Sequence, residues 1–170
     1  MDQNMINLVI ALMALLVSFY CFYLVNDSRK KAKASGEKEN FSTRPLQLQA
    51  YERLVMLAER ISIPNLVSRA NQPGFGAREM QILLIESIKQ EFEYNASQQI
   101  YVSPVAWEAV TNLKEQNMLI INQVSATLPP DSSGMDLNKR LLEFVMTQKK
   151  GTLHTIVLEA LNFEAKKIMK

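Results

Sequence analysis

The chain has 170 residues, a formal net charge of +2 and a hydrophobic share of 48%. Residues 41–170 carry 14 Lys/Arg against 13 Asp/Glu, a net of +1, which argues against a dedicated nucleic-acid binder with a strongly basic face. The single cysteine, Cys21, rules out an intramolecular disulfide and fits a reducing compartment.

The chain opens on an apolar stretch. Leu8 to Val25 contains no charge, and the stretch reaches back to Met5. A hydrocarbon core of ~30 Å needs ~20 helical residues, so residues 1–25 are expected to form a transmembrane anchor. Phe19, Tyr20, Phe22 and Tyr23 cluster at its end, where aromatic rings suit a membrane interface. A cleaved signal peptide fits less well: the start holds Asp2 and no Lys or Arg, and no Ala-x-Ala site follows the run. Ala11, Ala14 and Ser18 recur at three- and four-residue steps, a candidate packing face for the membrane helix. Arg29, Lys30, Lys31, Lys33 and Lys38 lie only on the C-terminal flank. By the positive-inside rule the N-terminus is expected outside and residues 26–170 in the cytoplasm.

Residues 26–43 read as a charged linker, too polar to bury a core. Residues 44–170 read as a helical domain. A first helix begins near Pro45, with Tyr51, Leu54, Val55, Ala58 and Ile61 on one stripe. Pro64 interrupts it, and a short helix, Asn65 to Ala70, follows. A turn with Pro73, Gly74 and Gly76 leads to a helix from Arg78 to Asn95 that buries Met80, Leu84, Ile85, Ile88 and Phe92. Gln99 to Val102 is β-prone but has no partner strand. Ser103-Pro104 starts a helix running to Leu128, in which Asn117 interrupts an apolar seam. Beyond the Pro129–Gly134 loop, Asp136 and Thr152 are expected to cap helices, with Lys149-Lys150-Gly151 between them. The expected fold is all-α: one N-terminal transmembrane helix, then a small cytoplasmic domain of four main helices plus one short helix.

No chemistry-bearing pattern emerges. His154 is the only histidine, so a zinc site of ordinary composition is not expected. No serine lies in a Gly-x-Ser-x-Gly turn, and Gly74-Phe75-Gly76 lacks the phosphate-loop lysine. No catalytic, cofactor-binding or metal-ligating residue is assigned, and neither a cofactor nor a small-molecule substrate is expected. Two features suit a partner. The uncharged run Tyr94 to Ser103 either ties off helix ends with its polar side chains or, with Trp107, presents Tyr94 and Tyr101 as interface anchors. Arg53 and Arg60 are seven apart, hence on one helix face, free to pair with Glu52, Glu59 or Glu91 or to dock an acidic partner. The candidate partner surface is therefore Tyr94, Tyr101, Trp107, Arg53 and Arg60.

Several stretches carry a resemblance. They are Tyr51-Glu52-Arg53-Leu54 with Glu59-Arg60-Ile61, Gln90-Glu91-Phe92-Glu93-Tyr94-Asn95, Ser97-Gln98-Gln99-Ile100-Tyr101-Val102-Ser103, Trp107, and Leu128-Pro129-Pro130-Asp131. In these and in its layout the chain resembles an uncharacterised family of single-pass membrane proteins from Bacteroidetes. The resemblance implies a bacterial cytoplasmic (inner) membrane and supplies no activity. The expected function is a membrane-anchored cytoplasmic interaction or scaffold module, not an enzyme. Its expected contacts are the lipid bilayer and a protein partner or a second copy. The alternative is a small accessory subunit of an integral inner-membrane complex.

Overall fold

The computed structural model describes Leu15, residues 18–20, 22–27, 43–147 and 153–170, and divides the chain into two compact units, Met1–Ser42 and Thr43–Lys170. In the first unit the described residues are helical, and Leu15, Ser18, Phe19, Tyr20 and Phe22–Val25 are exposed. The expected transmembrane helix needs correction here. Among the described residues no helix is long and apolar enough to cross a membrane. The described helical residues of the first unit all lie between Leu15 and Asp27, fewer than the ~20 that a ~30 Å hydrocarbon core needs. The single-pass assignment, the inner-membrane localisation and the cytoplasmic placement of residues 26–170 all rested on that span. Ala11, Ala14, Cys21 and the segment 28–42 lie outside the described residues.

The second unit is all-helical. Its elements are α1 (Arg44–Ile61), α2 (Ile63–Ala70), α3 (Ala77–Tyr94), a 3-10 helix (Ala96–Ile100), α4 (Pro104–Ala126), α5 (Gly134–Thr147) and α6 (Leu153–Met169). Five of these are long, one more than the expected four. The first and last helices, α1 and α6, make the most extensive pairing, while α3 packs on α4 and α5. Leu57, Ile61, Met80, Leu84, Leu113 and Leu161 from four helices are fully buried between them. Each such side chain contributes about 1.5–3 kcal/mol of transfer free energy. The sequence places them at helical steps, so each helix turns one apolar stripe inward.

The break between α1 and α2 follows from Pro64. Its ring nitrogen has no hydrogen to give the carbonyl four residues back, and its ring crowds that carbonyl. The last carbonyls of α1 are left without helical donors. Side chains take them instead. Ser62 Oγ and Asn65 Nδ2 donate to the Glu59 carbonyl at 2.7 and 3.0 Å. Arg69 Nη2 donates to the Arg60 carbonyl at 3.0 Å, the one that Pro64 cannot reach. Asn117 Nδ2, from the middle of α4, donates to the Ile61 carbonyl at 2.8 Å. Asn117 thus interrupts its apolar seam for a reason: it closes the end of another helix.

The 94–103 run is also spent on helix ends. Asn95 Nδ2 donates to the Glu91 carbonyl at 2.8 Å, and Ser103 Oγ accepts from Ala106 N–H at 3.0 Å. The expected extended crossing at Gln99–Val102 gives way to the 3-10 helix, because no strand is present among the described residues to pair with it. Asp136 sits inside α5, not before it. Its carboxylate accepts from Ser133 N–H and Oγ at 3.0 and 2.7 Å, while Asp136 N–H donates back to Ser133 Oγ, a reciprocal cap. Lys149, Lys150, Gly151 and Thr152 lie outside the described residues.

The loops before α3 and α5 are tied together. Ala77 N–H donates to the Ser132 carbonyl at 2.9 Å, and Gly134 N–H donates to the Phe75 carbonyl at 2.7 Å. Gly74 makes the turn with φ +88°, a conformation open to glycine at little cost. At Gly134 a Cβ would lie 3.0 Å from both the Phe75 carbonyl oxygen and Met80 Cβ, so a larger residue would have to push these neighbours aside.

Candidate functional site

The helix break aims one side of the domain. By reaching back to the Arg60 carbonyl, Arg69 brings its guanidinium beside α1, and the end of α3 comes up against both. A groove of about 980 Å³ lies between α1, α2 and α3. Arg53, Met56 and Arg60 line it from α1, Arg69 from α2, and Glu91 and Tyr94 from α3.

The two ends of the groove differ. At one end Glu91 Oε1 accepts from Arg60 Nη2 at 2.6 Å and from Arg69 Nη1 at 2.9 Å. Burial would push the Glu91 carboxyl up, but these two charge-assisted bonds outweigh it and hold the group below the ordinary carboxylate range. The hydrogen bond to Glu91 raises the Arg60 guanidinium in turn. At the other end Arg53 has no carboxylate partner among the described residues. Its guanidinium carbon lies 5.5 Å from the centroid of the Tyr94 ring, within cation–π reach. Tyr94 is 72% exposed, and Met56, between the two ends along α1, is 58% exposed.

The structure therefore brings together three of the five residues singled out from sequence: Arg53, Arg60 and Tyr94. The other two stand apart from the groove. The Trp107 ring packs on Phe92 with centroids 4.9 Å apart and planes at 37°, half-buried against the core. Tyr101 follows the 3-10 helix, donating its N–H to the Gln98 carbonyl at 3.0 Å. Of the expected membrane-helix face, only Ser18 is described, and it is exposed. Arg69 and Glu91 were visible in the sequence as an arginine and a possible ion-pair partner, yet nothing local showed that they meet. That depends on the turn at Pro64. Met56 lay off the α1 stripe and gave no signal.

Two other clusters have structural roles. Tyr51 Oη donates to Glu164, Ser103 Oγ donates to the same Glu164 oxygen at 2.5 Å, and Ser103 N–H donates to Tyr51 Oη at 3.1 Å. This knot binds α1, the start of α4 and α6 together. Ser103 Oγ also accepts from Ala106 N–H as a helix cap. His154 Nε2 lies 3.5 Å from Glu59 Oε2 and faces a smaller cavity of about 400 Å³ lined by Leu113, Ile120 and Val145. Among the described residues no group of three His, Cys, Asp or Glu side chains converges on one point.

The fold and groove define a small all-helical bundle with an arginine-rich, aromatic-edged cleft. The chain belongs to a family of unknown function, DUF7935, whose profile matches residues 3–168. No curated protein and no solved structure matches the chain.

Proposed function

We propose that the chain is a helical protein-binding module, acting by docking rather than by chemistry, and that the α1–α2–α3 groove is its docking surface. The observation that carries this reading is the placement of Arg53 and Tyr94. A cation with no carboxylate partner among the described residues lies over an exposed aromatic ring at the mouth of the groove. Arg and Tyr are over-represented among residues that dominate interface energetics, and an arginine fixed on a ring loses less freedom when a partner arrives. Exposed Met56 supplies an adaptable apolar surface beside it. The residue pattern that carries the resemblance supports a bacterial source among the Bacteroidetes.

Site-specific photocrosslinking tests the reading. A photoreactive residue is placed at Met56 in the full chain, with Arg140 on α5 as a control position, in the native cells. The reading expects one dominant product from Met56 that is absent from Arg140 and lost with Arg53→Glu. Equal labelling from both positions, or a Met56 product indifferent to Arg53→Glu, contradicts it. A product of twice the chain mass identifies a second copy as the partner.

A further inference from the structure

We infer that the groove takes an acidic amphipathic helix of a partner protein, with a carboxylate of that helix seated on the Arg53 guanidinium. The inference rests on the groove being a docking surface and adds what docks there. Charge selects the occupant. Arg53, Arg60 and Arg69 line the groove against the single carboxylate Glu91. Glu91 is already shared by Arg60 and Arg69, so the unbalanced positive charge sits at the Arg53 end. A basic segment would meet that cation unscreened, whereas an acidic one completes it.

Shape selects a helix. The walls are two helices, α1 and α3, and an amphipathic helix in such a groove offers side chains at positions i, i+3, i+4 and i+7. Arg53 and Arg60 are two turns apart on α1, about 10.5 Å along the axis. A guest helix of similar length can set an acidic residue on Arg53 while its apolar side chains cover Met56 and the groove floor at Leu57. The Arg53 guanidinium carbon lies over the Tyr94 ring, 5.5 Å from its centroid, and a planar guanidinium can take a carboxylate bidentately. Arginine serves here where lysine would not, because only a planar guanidinium both stacks and forks.

The test displays random peptides of ~16 residues, long enough for about four helical turns, against the full chain. Selected peptides are synthesised and their affinities measured by fluorescence anisotropy. The inference expects enrichment of peptides with Glu or Asp among apolar residues at helical spacing. Their affinity falls as salt is raised, about tenfold or more with Arg53→Glu, and less with Arg53→Lys. Circular dichroism of the variants confirms that each remains helical. Neutral or basic peptides that lose binding with Met56→Glu but not with Arg53→Glu overturn the acidic partner and leave the groove as a docking surface. Peptides that bind indifferently to both substitutions overturn both.

Discussion

Asn117 Nδ2 lies 2.8 Å from the Ile61 carbonyl oxygen, linking the middle of one helix to the end of another fifty-six positions earlier in the chain. Ile61 is fully buried and Asn117 nearly so, at 6% exposure. The bond lets α1 stop inside the protein rather than at its surface. It joins the Ser62, Asn65 and Arg69 bonds in closing the break from which α2 leaves.

Replacing Asn117 with alanine leaves the Ile61 carbonyl buried without that donor. The expected loss is about 1–3 kcal/mol of unfolding free energy, the cost of an unsatisfied buried polar group. Urea unfolding followed by circular dichroism measures it, with an unchanged m-value showing that the native state keeps its compactness. Asn117→Leu is expected to be no better, because added apolar volume does not satisfy the carbonyl.

Gly134→Ala sets two effects against each other. Alanine favours a helix over glycine by about 1 kcal/mol. Against this, the new Cβ meets the Phe75 carbonyl and Met80 at 3.0 Å, and overpacking costs typically about 1–3 kcal/mol. The backbone contact cannot swing away as a flexible side chain would. Net destabilisation is expected, seen as a lower thermal midpoint. A midpoint equal to or above that of the unaltered chain would show that the two loops separate easily.

Much of this architecture was legible in the sequence. Pro45, Pro64 and Pro104 mark helix starts, and the apolar stripes of α1 and α3 lie where their three- and four-residue steps place them. Ser103 was readable as a cap because its partner, Ala106 N–H, is only three residues away. The groove was only half legible. Arg53 and Arg60 share a face by helix geometry alone, but Tyr94 joins them through the packing of α3 on α1, which no local pattern encodes. Trp107 was equally ambiguous: a large aromatic ring suits an interface and a core alike, and here it packs on Phe92 with centroids 4.9 Å apart. The apolar N-terminal stretch pointed to a membrane span, but among the described residues no helix is long and apolar enough for one.

Tyr51 makes stability fall at high pH. Burial first, then its hydrogen bond to Glu164, raises the phenol above its usual value near 10. The folded state therefore holds the proton more tightly than the unfolded chain. The stabilisation is fully present below about pH 10 and is lost as pH rises through the folded value. Tyr51→Phe is expected to lower stability at neutral pH by about 1 kcal/mol and to flatten the alkaline decline. An equally steep decline in Tyr51→Phe would assign it to other groups.

Glu91 acts at the acid end with the opposite sign. Its folded value lies below the ordinary carboxylate value of 4.5, so the stabilisation is present above that value and lost as pH falls through the folded one. The guanidinium groups are exposed by 47% and 38%, so each pair contributes only about 0–1 kcal/mol. Glu91→Gln is expected to destabilise modestly at pH 7, with the difference from the unaltered chain vanishing in acid. It also releases Arg60 and Arg69, and so should strengthen binding of acidic peptides at low salt. Unfolding curves across the acid range, paired with peptide titrations, check both effects.

Hydrogen–deuterium exchange tests the docking surface most directly, on the full chain with and without the partner captured at Met56. The account predicts slowed exchange in residues 53–60 and 87–95, with α5 unchanged. Protection on α5 or α6 that spares both of those segments would contradict it.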